Sequence, residues 1–155
     1  MEVVNVHELA VEHDVDDPPG YQGGGVRLGA MLGASLLGMT LYELPPGNRI
    51  CPYHYEYGNE EWVLVMSGRP TLRTPGGERE LEPGDVVCFP EGPAGAHSVA
   101  AAGDETVRVI MLSTKRKPDV SVYPDSDKFG VFPGNPDDHG IFRRRDGVDY
   151  FDGEL

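Results

Sequence analysis

Cysteine is scarce in this chain. Cys51 and Cys88 are the only two in 155 residues, too few to build a disulfide framework. The first residues, Met1-Glu2-Val3-Val4-Asn5, have neither the basic start nor the apolar core of an export signal. Both cysteines are therefore expected to be reduced, buried thiols of a cytoplasmic protein. Basic residues are also few: 13 Lys and Arg stand against 26 Asp and Glu, for a net charge of −13. A chain this acidic repels phosphate backbones and anionic lipid, so neither nucleic acid nor membrane is expected as a partner. Long apolar runs are missing. The longest uncharged stretch, Leu28 to Tyr42, is interrupted by Gly29, Gly33 and Gly38 and is too short to span a bilayer. Several catalytic signatures are absent as well: Gly-x-Ser-x-Gly, a phosphate-binding loop, Gly-x-Gly-x-x-Gly and Cys-x-x-Cys. Ser67 and Ser98 have no neighbouring motif to activate them.

Turn residues are plentiful, with 21 Gly and 14 Pro. They punctuate short apolar runs at regular intervals, which indicates an all-β fold. The runs are Leu36 to Leu44, Ile50 to Glu56, Glu61 to Ser67, Thr71 to Thr74, Glu78 to Leu81, Val86 to Phe89, His97 to Ala101 and Val107 to Ser113. Pro75-Gly76-Gly77 is a hairpin signature, and no helix of ordinary length is evident. About eight strands on this spacing suit a double-sheet barrel of the jelly-roll kind. The length suits one domain, organised as an irregular N-terminal arm (1–35), a barrel (36–114) and an extended C-terminal tail (115–155). The tail is rich in Asp and Pro but also carries Tyr123, Phe129, Phe132, Phe142, Tyr150 and Phe151. Disordered tails are poor in aromatic residues, so this one is expected to pack on the barrel or on a partner subunit.

The chemistry is concentrated in His54-Tyr55-Glu56 and in Glu61, with a second imidazole, His97, further on. On an extended strand, residues two apart share a face, which puts His54 beside Glu56. The same parity turns Cys51 to the opposite face. Imidazoles and carboxylates delivered from neighbouring strands suit a divalent transition metal. Carboxylates gathered without a cation would repel one another, and at least one would take up a proton.

The spacing resembles the cupin superfamily. Its first motif reads here as Gly47, His54-x-Glu56, Glu61 and Gly68. Its second reads as Gly84, Pro90-Glu91-Gly92 and His97. The chain departs from the family pattern in three ways. Glu56 stands where a second histidine is usual, two extra residues separate Gly92 from His97, and Ala101 replaces an asparagine. The segments Tyr53 to Gly68 and Leu81 to His97 look like a small, uncharacterised bacterial cupin-2 group. The resemblance implies a double-stranded β-helix holding one divalent metal (Fe, Mn, Ni or Zn) through His54, Glu61 and His97. Glu56 is expected as a fourth ligand, direct or through water, or as a base acting beside the metal. The implied function is a metal-dependent enzyme, of isomerase or dioxygenase type, on a small oxygenated or carboxylated metabolite. The alternative is a non-catalytic sensor cupin that binds a small molecule. A homodimer is expected, because Trp62, Leu64 and Met66 would form an apolar face outside the barrel.

Overall fold

The computed structural model describes residues 1–154, and among them the chain is almost wholly β-structure. Its elements, in order, are β1 (Gly24–Val26), a single helical turn α1 (Leu28–Met31), β2 (Leu37–Leu44), β3 (Tyr55–Glu56), β4 (Glu61–Ser67), β5 (Thr71–Thr74), β6 (Gly77–Glu80), β7 (Val86–Phe89), β8 (Ser98–Ala100), β9 (Val107–Thr114), β10 (Asp119–Tyr123), β11 (Lys128–Phe132) and β12 (Gly140–Arg143). Every pairing between these strands is antiparallel. They form a five-stranded sheet ordered β1-β2-β9-β4-β7, a three-stranded sheet β6-β5-β8 and a four-stranded sheet β12-β11-β10-β3.

Strand β4 shows how the sequence builds the barrel. Val63 and Val65 are fully buried and join Leu44, Leu72, Leu81, Phe89, Val99, Val107 and Val109 in the interior. Glu61 has the same parity as these valines, so its carboxylate points inward. Leu64 and Met66 face outward into a second cluster around Leu28, Leu41 and Ile110, where Val4, Val6, Leu9 and Val11 of the N-terminal arm pack on the sheet. The arm thus covers much of the outer apolar face, while Trp62 stays 41 % exposed.

One expectation is corrected. The run from Ile50 to Glu56 is not one strand: only Tyr55–Glu56 is strand, with a lone bridge at His54. Pro52 has no N–H to give a ladder, and the chain bends through residues 51–53. The extended tail holds β10 to β12, and β10 pairs with β3 in register Ser121↔Glu56 and Val122↔Tyr55. Val122 is buried, and Phe129 packs on Phe142 across the β11–β12 pair with ring centroids 5.6 Å apart.

Candidate metal centre

Three separate segments meet at the inner end of β4. His54 and His97 form an isolated antiparallel bridge, with His54 N–H donating to the His97 carbonyl (3.1 Å) and His97 N–H to the His54 carbonyl (2.8 Å). Direct cross-strand pairing brings the rings together, at a centroid distance of 4.8 Å. The two extra residues before His97 are taken up in a 3-10 turn, Pro93–Gly95, entered through Gly92 at φ +82°. Gly95 has to be glycine, because a Cβ there would lie 1.8 Å from the Pro90 carbonyl oxygen. The turn restores the register that the longer spacing would otherwise lose. The loop from Tyr57 to Glu60 is pinned by buried Asn59, whose amide oxygen accepts from Thr114 Oγ1 (3.0 Å) and Arg116 N–H (2.8 Å). Asp119 Oδ1 accepts from Gly58 N–H at 3.0 Å. These bonds set where Glu61 enters β4.

His54 Nε2 and His97 Nε2 each lie 3.4 Å from the same oxygen, Glu61 Oε2. One ligand atom from each residue falls within 4.8 Å of the others. Both imidazoles are oriented by their far nitrogens: His54 Nδ1 donates to the Pro52 carbonyl (3.0 Å) and His97 Nδ1 to the Gly95 carbonyl (2.9 Å). That tautomer leaves an Nε2 lone pair on each ring aimed at the carboxylate. Phe89 stacks on His97 at 3.7 Å and 5° and holds its plane. Glu61 Oε2 and His97 Nε2 are buried without a hydrogen-bond partner. Two imidazole lone pairs facing one carboxylate oxygen repel each other unless a cation or a proton sits among them. These donors therefore fit a divalent metal.

The electrostatics agree with this. Burial opposes charge on His54, but Cys51 and Glu61 outweigh it and raise its pKa to about 11. Burial lowers His97 to about 4, and the positive charge on His54 adds to the effect against the pull of Glu61. In the metal-free site one proton on His54 balances Glu61, and a second imidazolium so close by would be repelled.

The structure brings together His54, Glu61 and His97 of the four expected residues. The Glu56 carboxylate lies outside that group and accepts from Ser121 Oγ at 3.3 Å. Burial, then the negative charges of Glu61 and Asp119, push its pKa up to about 7. Cys51 is not turned away as strand parity implied. Its Sγ lies 3.5 Å from His54 Nδ1, because the bend at Pro52 breaks the alternation. Both cysteines are half-buried rather than buried. His7, His13 and His139 are exposed.

Sequence reasoning missed Ser121 and Tyr123, whose ring stacks on His54 at 6.0 Å and 24°. The alternation in Asp119-Val120-Ser121-Val122-Tyr123 was the available signal, a strand pattern inside a segment read as tail. It also missed Tyr42, a half-buried phenol of β2. Burial raises its pKa, Cys51 and Glu61 raise it further, and Arg27 opposes them.

Residues 40–113 match the cupin domain family. No curated protein matches the chain. Among solved structures it is similar to a protein from Acidithiobacillus ferrooxidans assigned provisionally as a sugar phosphate isomerase. The identity is 28 %, the TM-score 0.81, and the match covers 93 % of this chain and 91 % of that one. A cupin-superfamily sugar phosphate isomerase from Silicibacter pomeroyi matches with 22 % identity and a TM-score of 0.81, over 97 % of this chain and 98 % of that one. A polyketide cyclase from Streptomyces resistomycificus matches with 22 % identity and a TM-score of 0.59, over 75 % and 80 %. Below 25 % identity such likeness concerns the fold alone, and that fold is the same in each. With the motif residues, the antiparallel sheets and these matches in agreement, residues 40–113 form a cupin domain within an all-β barrel of the cupin fold.

Proposed function

We propose that the protein is a metal-dependent isomerase acting on a small hydroxylated carbonyl metabolite. The observation that carries this reading is the buried meeting of His54 Nε2, His97 Nε2 and Glu61 Oε2 beside a carboxyl group, Glu56, that exchanges its proton near neutral pH. A divalent cation (Fe, Mn, Ni or Zn) held by His54, Glu61 and His97 would supply positive charge to the substrate oxygen on which negative charge develops. Without metal, burial and the charges of Glu61 and Asp119 raise the Glu56 pKa to about 7, and a bound cation would lower it, leaving an ionised carboxylate base at neutral pH. It removes the proton from the carbon next to the carbonyl and returns it to the former carbonyl carbon, while the hydroxyl proton moves to the former carbonyl oxygen. Ser121 Oγ holds the Glu56 carboxyl in place, and the Tyr123 ring covers His54. A carboxylate base held beside the candidate ligands favours isomerisation over dioxygenation, which needs no such proton transfer. The likeness to the Acidithiobacillus protein supports the same choice.

The test begins with elemental analysis of protein purified without nickel resin. Metal-loaded protein is then incubated with aldose and ketose phosphates in deuterated water. The expected result is one divalent ion per chain and deuterium at the carbon next to the carbonyl. Oxygen uptake without exchange would replace isomerase by dioxygenase. Binding without turnover would leave a sensor.

The assembly proposed is a homodimer on the outer face of the five-stranded sheet. There Leu37, Trp62, Leu64, Val86 and Leu112 line an apolar groove of about 360 Å³. Contiguous apolar surface of this kind marks interfaces. Light scattering at micromolar concentration is expected to give twice the 16.9 kDa chain mass. A mass of one chain overturns the dimer.

A further inference from the structure

A cavity of about 330 Å³ lies between the N-terminal arm, β1, β2 and the segment leading into Cys51. Glu12, Asp14, Asp17, Arg27, Tyr42 and Arg49 are among the residues lining it. Its lining carries opposite charges that do not meet. Among the described residues, Arg69, Arg73, Arg108, Arg116, Arg144 and Arg145 each have a carboxylate within 4.0 Å, whereas Arg27, Arg49, Arg79 and Arg143 have none. Two of these four, Arg27 and Arg49, share one cavity with three carboxylates and pair with none of them.

The backbone around Arg49 is fixed. Its N–H donates to the Gly20 carbonyl at 2.9 Å, it bridges Ala100, and its guanidinium lies 5.6 Å from the centre of the Tyr21 ring. Gly25 keeps the wall thin, since a Cβ there would lie 3.0 Å from the Tyr42 ring. Tyr42 joins the cavity to the metal centre: it lines the cavity, packs against the barrel interior, and lies in the fields of both Arg27 and Glu61.

We propose that this cavity is the substrate's second anchoring point and that it takes a hydroxylated oxyanion of the sugar-phosphate or sugar-acid class. Guanidinium groups bind oxyanions through paired N–H donors, while the carboxylates of Glu12, Asp14 and Asp17 are acceptors that a ligand's hydroxyl groups can satisfy. A ligand carrying both groups bridges the gap that the side chains leave. An oxyanion alone would meet the repulsion of the three acids, and a plain polyol would leave the guanidiniums unmatched. The inference deepens the isomerase reading and rests on it for the direction in which substrate lies, carbonyl end toward His54, Glu61 and His97.

The experiment uses binding alone and the full chain, with and without metal. Glycerol 3-phosphate carries both groups, while inorganic phosphate and glycerol carry one each. Calorimetric titration is expected to show that glycerol 3-phosphate binds more tightly than either half-probe. Arg27→Gln and Arg49→Gln should each weaken it about tenfold, as loss of a hydrogen bond to a charged group predicts. Both arginines are exposed, so both variants should keep wild-type metal content and melting temperature. The proposal is overturned if glycerol 3-phosphate does not bind, if inorganic phosphate binds as tightly, or if the Arg27→Gln/Arg49→Gln double variant binds like wild type. Loss of the metal reading would appear separately, as protein that binds glycerol 3-phosphate and no metal.

Discussion

Glu61→Gln is expected to cut metal affinity far more than it changes metal-free stability. The carboxylate oxygen facing both imidazoles becomes part of a neutral amide, and the site loses its only anionic ligand among the three residues. Loss of an outer partner of a metal ligand costs 10–100-fold in affinity, so loss of a direct anionic ligand should cost more than about 100-fold. Without metal two effects oppose each other. The amide can donate a hydrogen bond to His97 Nε2, an atom with no partner in the native protein, and a buried acceptor that gains a donor is stabilised by about 1 kcal/mol. Against this, the substitution removes the carboxylate that balances the proton on His54. The metal-free variant should therefore melt at or below the wild-type temperature, while wild type alone gains stability from added ion. His97→Ala should lose metal too, but with lower metal-free stability, because it empties the space stacked on Phe89. If Glu61→Gln binds metal as tightly as wild type, Glu61 is not a ligand.

Glu56→Gln is expected to abolish turnover while leaving metal bound, with kcat lower by about 10²–10⁴-fold, the usual contribution of a positioned base. The wild-type rate should rise with pH as Glu56 loses its proton. The metal-free value near 7 sets the upper end of that rise, and a bound cation moves it to lower pH. Stability carries the same signature with a definite sign. The Glu56 pKa is raised from 4.5 to about 7. Between those values the folded protein holds a proton that the unfolded chain has released, so Glu56 makes stability fall as pH rises through this window. His97 acts in the opposite sense from about pH 4 to 6.5, because its folded value is depressed. His54, raised to about 11, contributes stability that is lost only above 6.5. The difference in melting temperature between wild type and Glu56→Gln therefore isolates Glu56. The metal-free variant should gain on wild type from pH 5 to pH 7. A constant difference across that range would show that the Glu56 carboxyl titrates normally. If Glu56→Gln and Glu56→His also shift selectivity between Mn and Zn, Glu56 reaches the metal itself.

The barrel, the outward face of β4 and the three residues that converge on one point were legible in the amino-acid pattern. Alternating burial is a local property of a strand, and Val63, Val65 and Glu61 declare it within a few positions. His54, Glu61 and His97 stand at fixed distances from turn residues, so their positions could be read before any contact was known. The tertiary structure decided what surrounds them. Ser121 reaches Glu56 across 65 positions, and Tyr123 stacks on His54 because β10 folds back against β3. Cys51 approaches His54 because Pro52 ends the strand that parity assumed. Arg27 and Arg49 share a cavity only because β1 closes on the edge of β2. Periodicity reports which face of a strand is buried, not which distant strand will lie against it. That choice is made when the whole chain pairs its backbone hydrogen bonds and closes its core, and it is there that the raised Glu56 carboxyl and the charged cavity acquire their meaning.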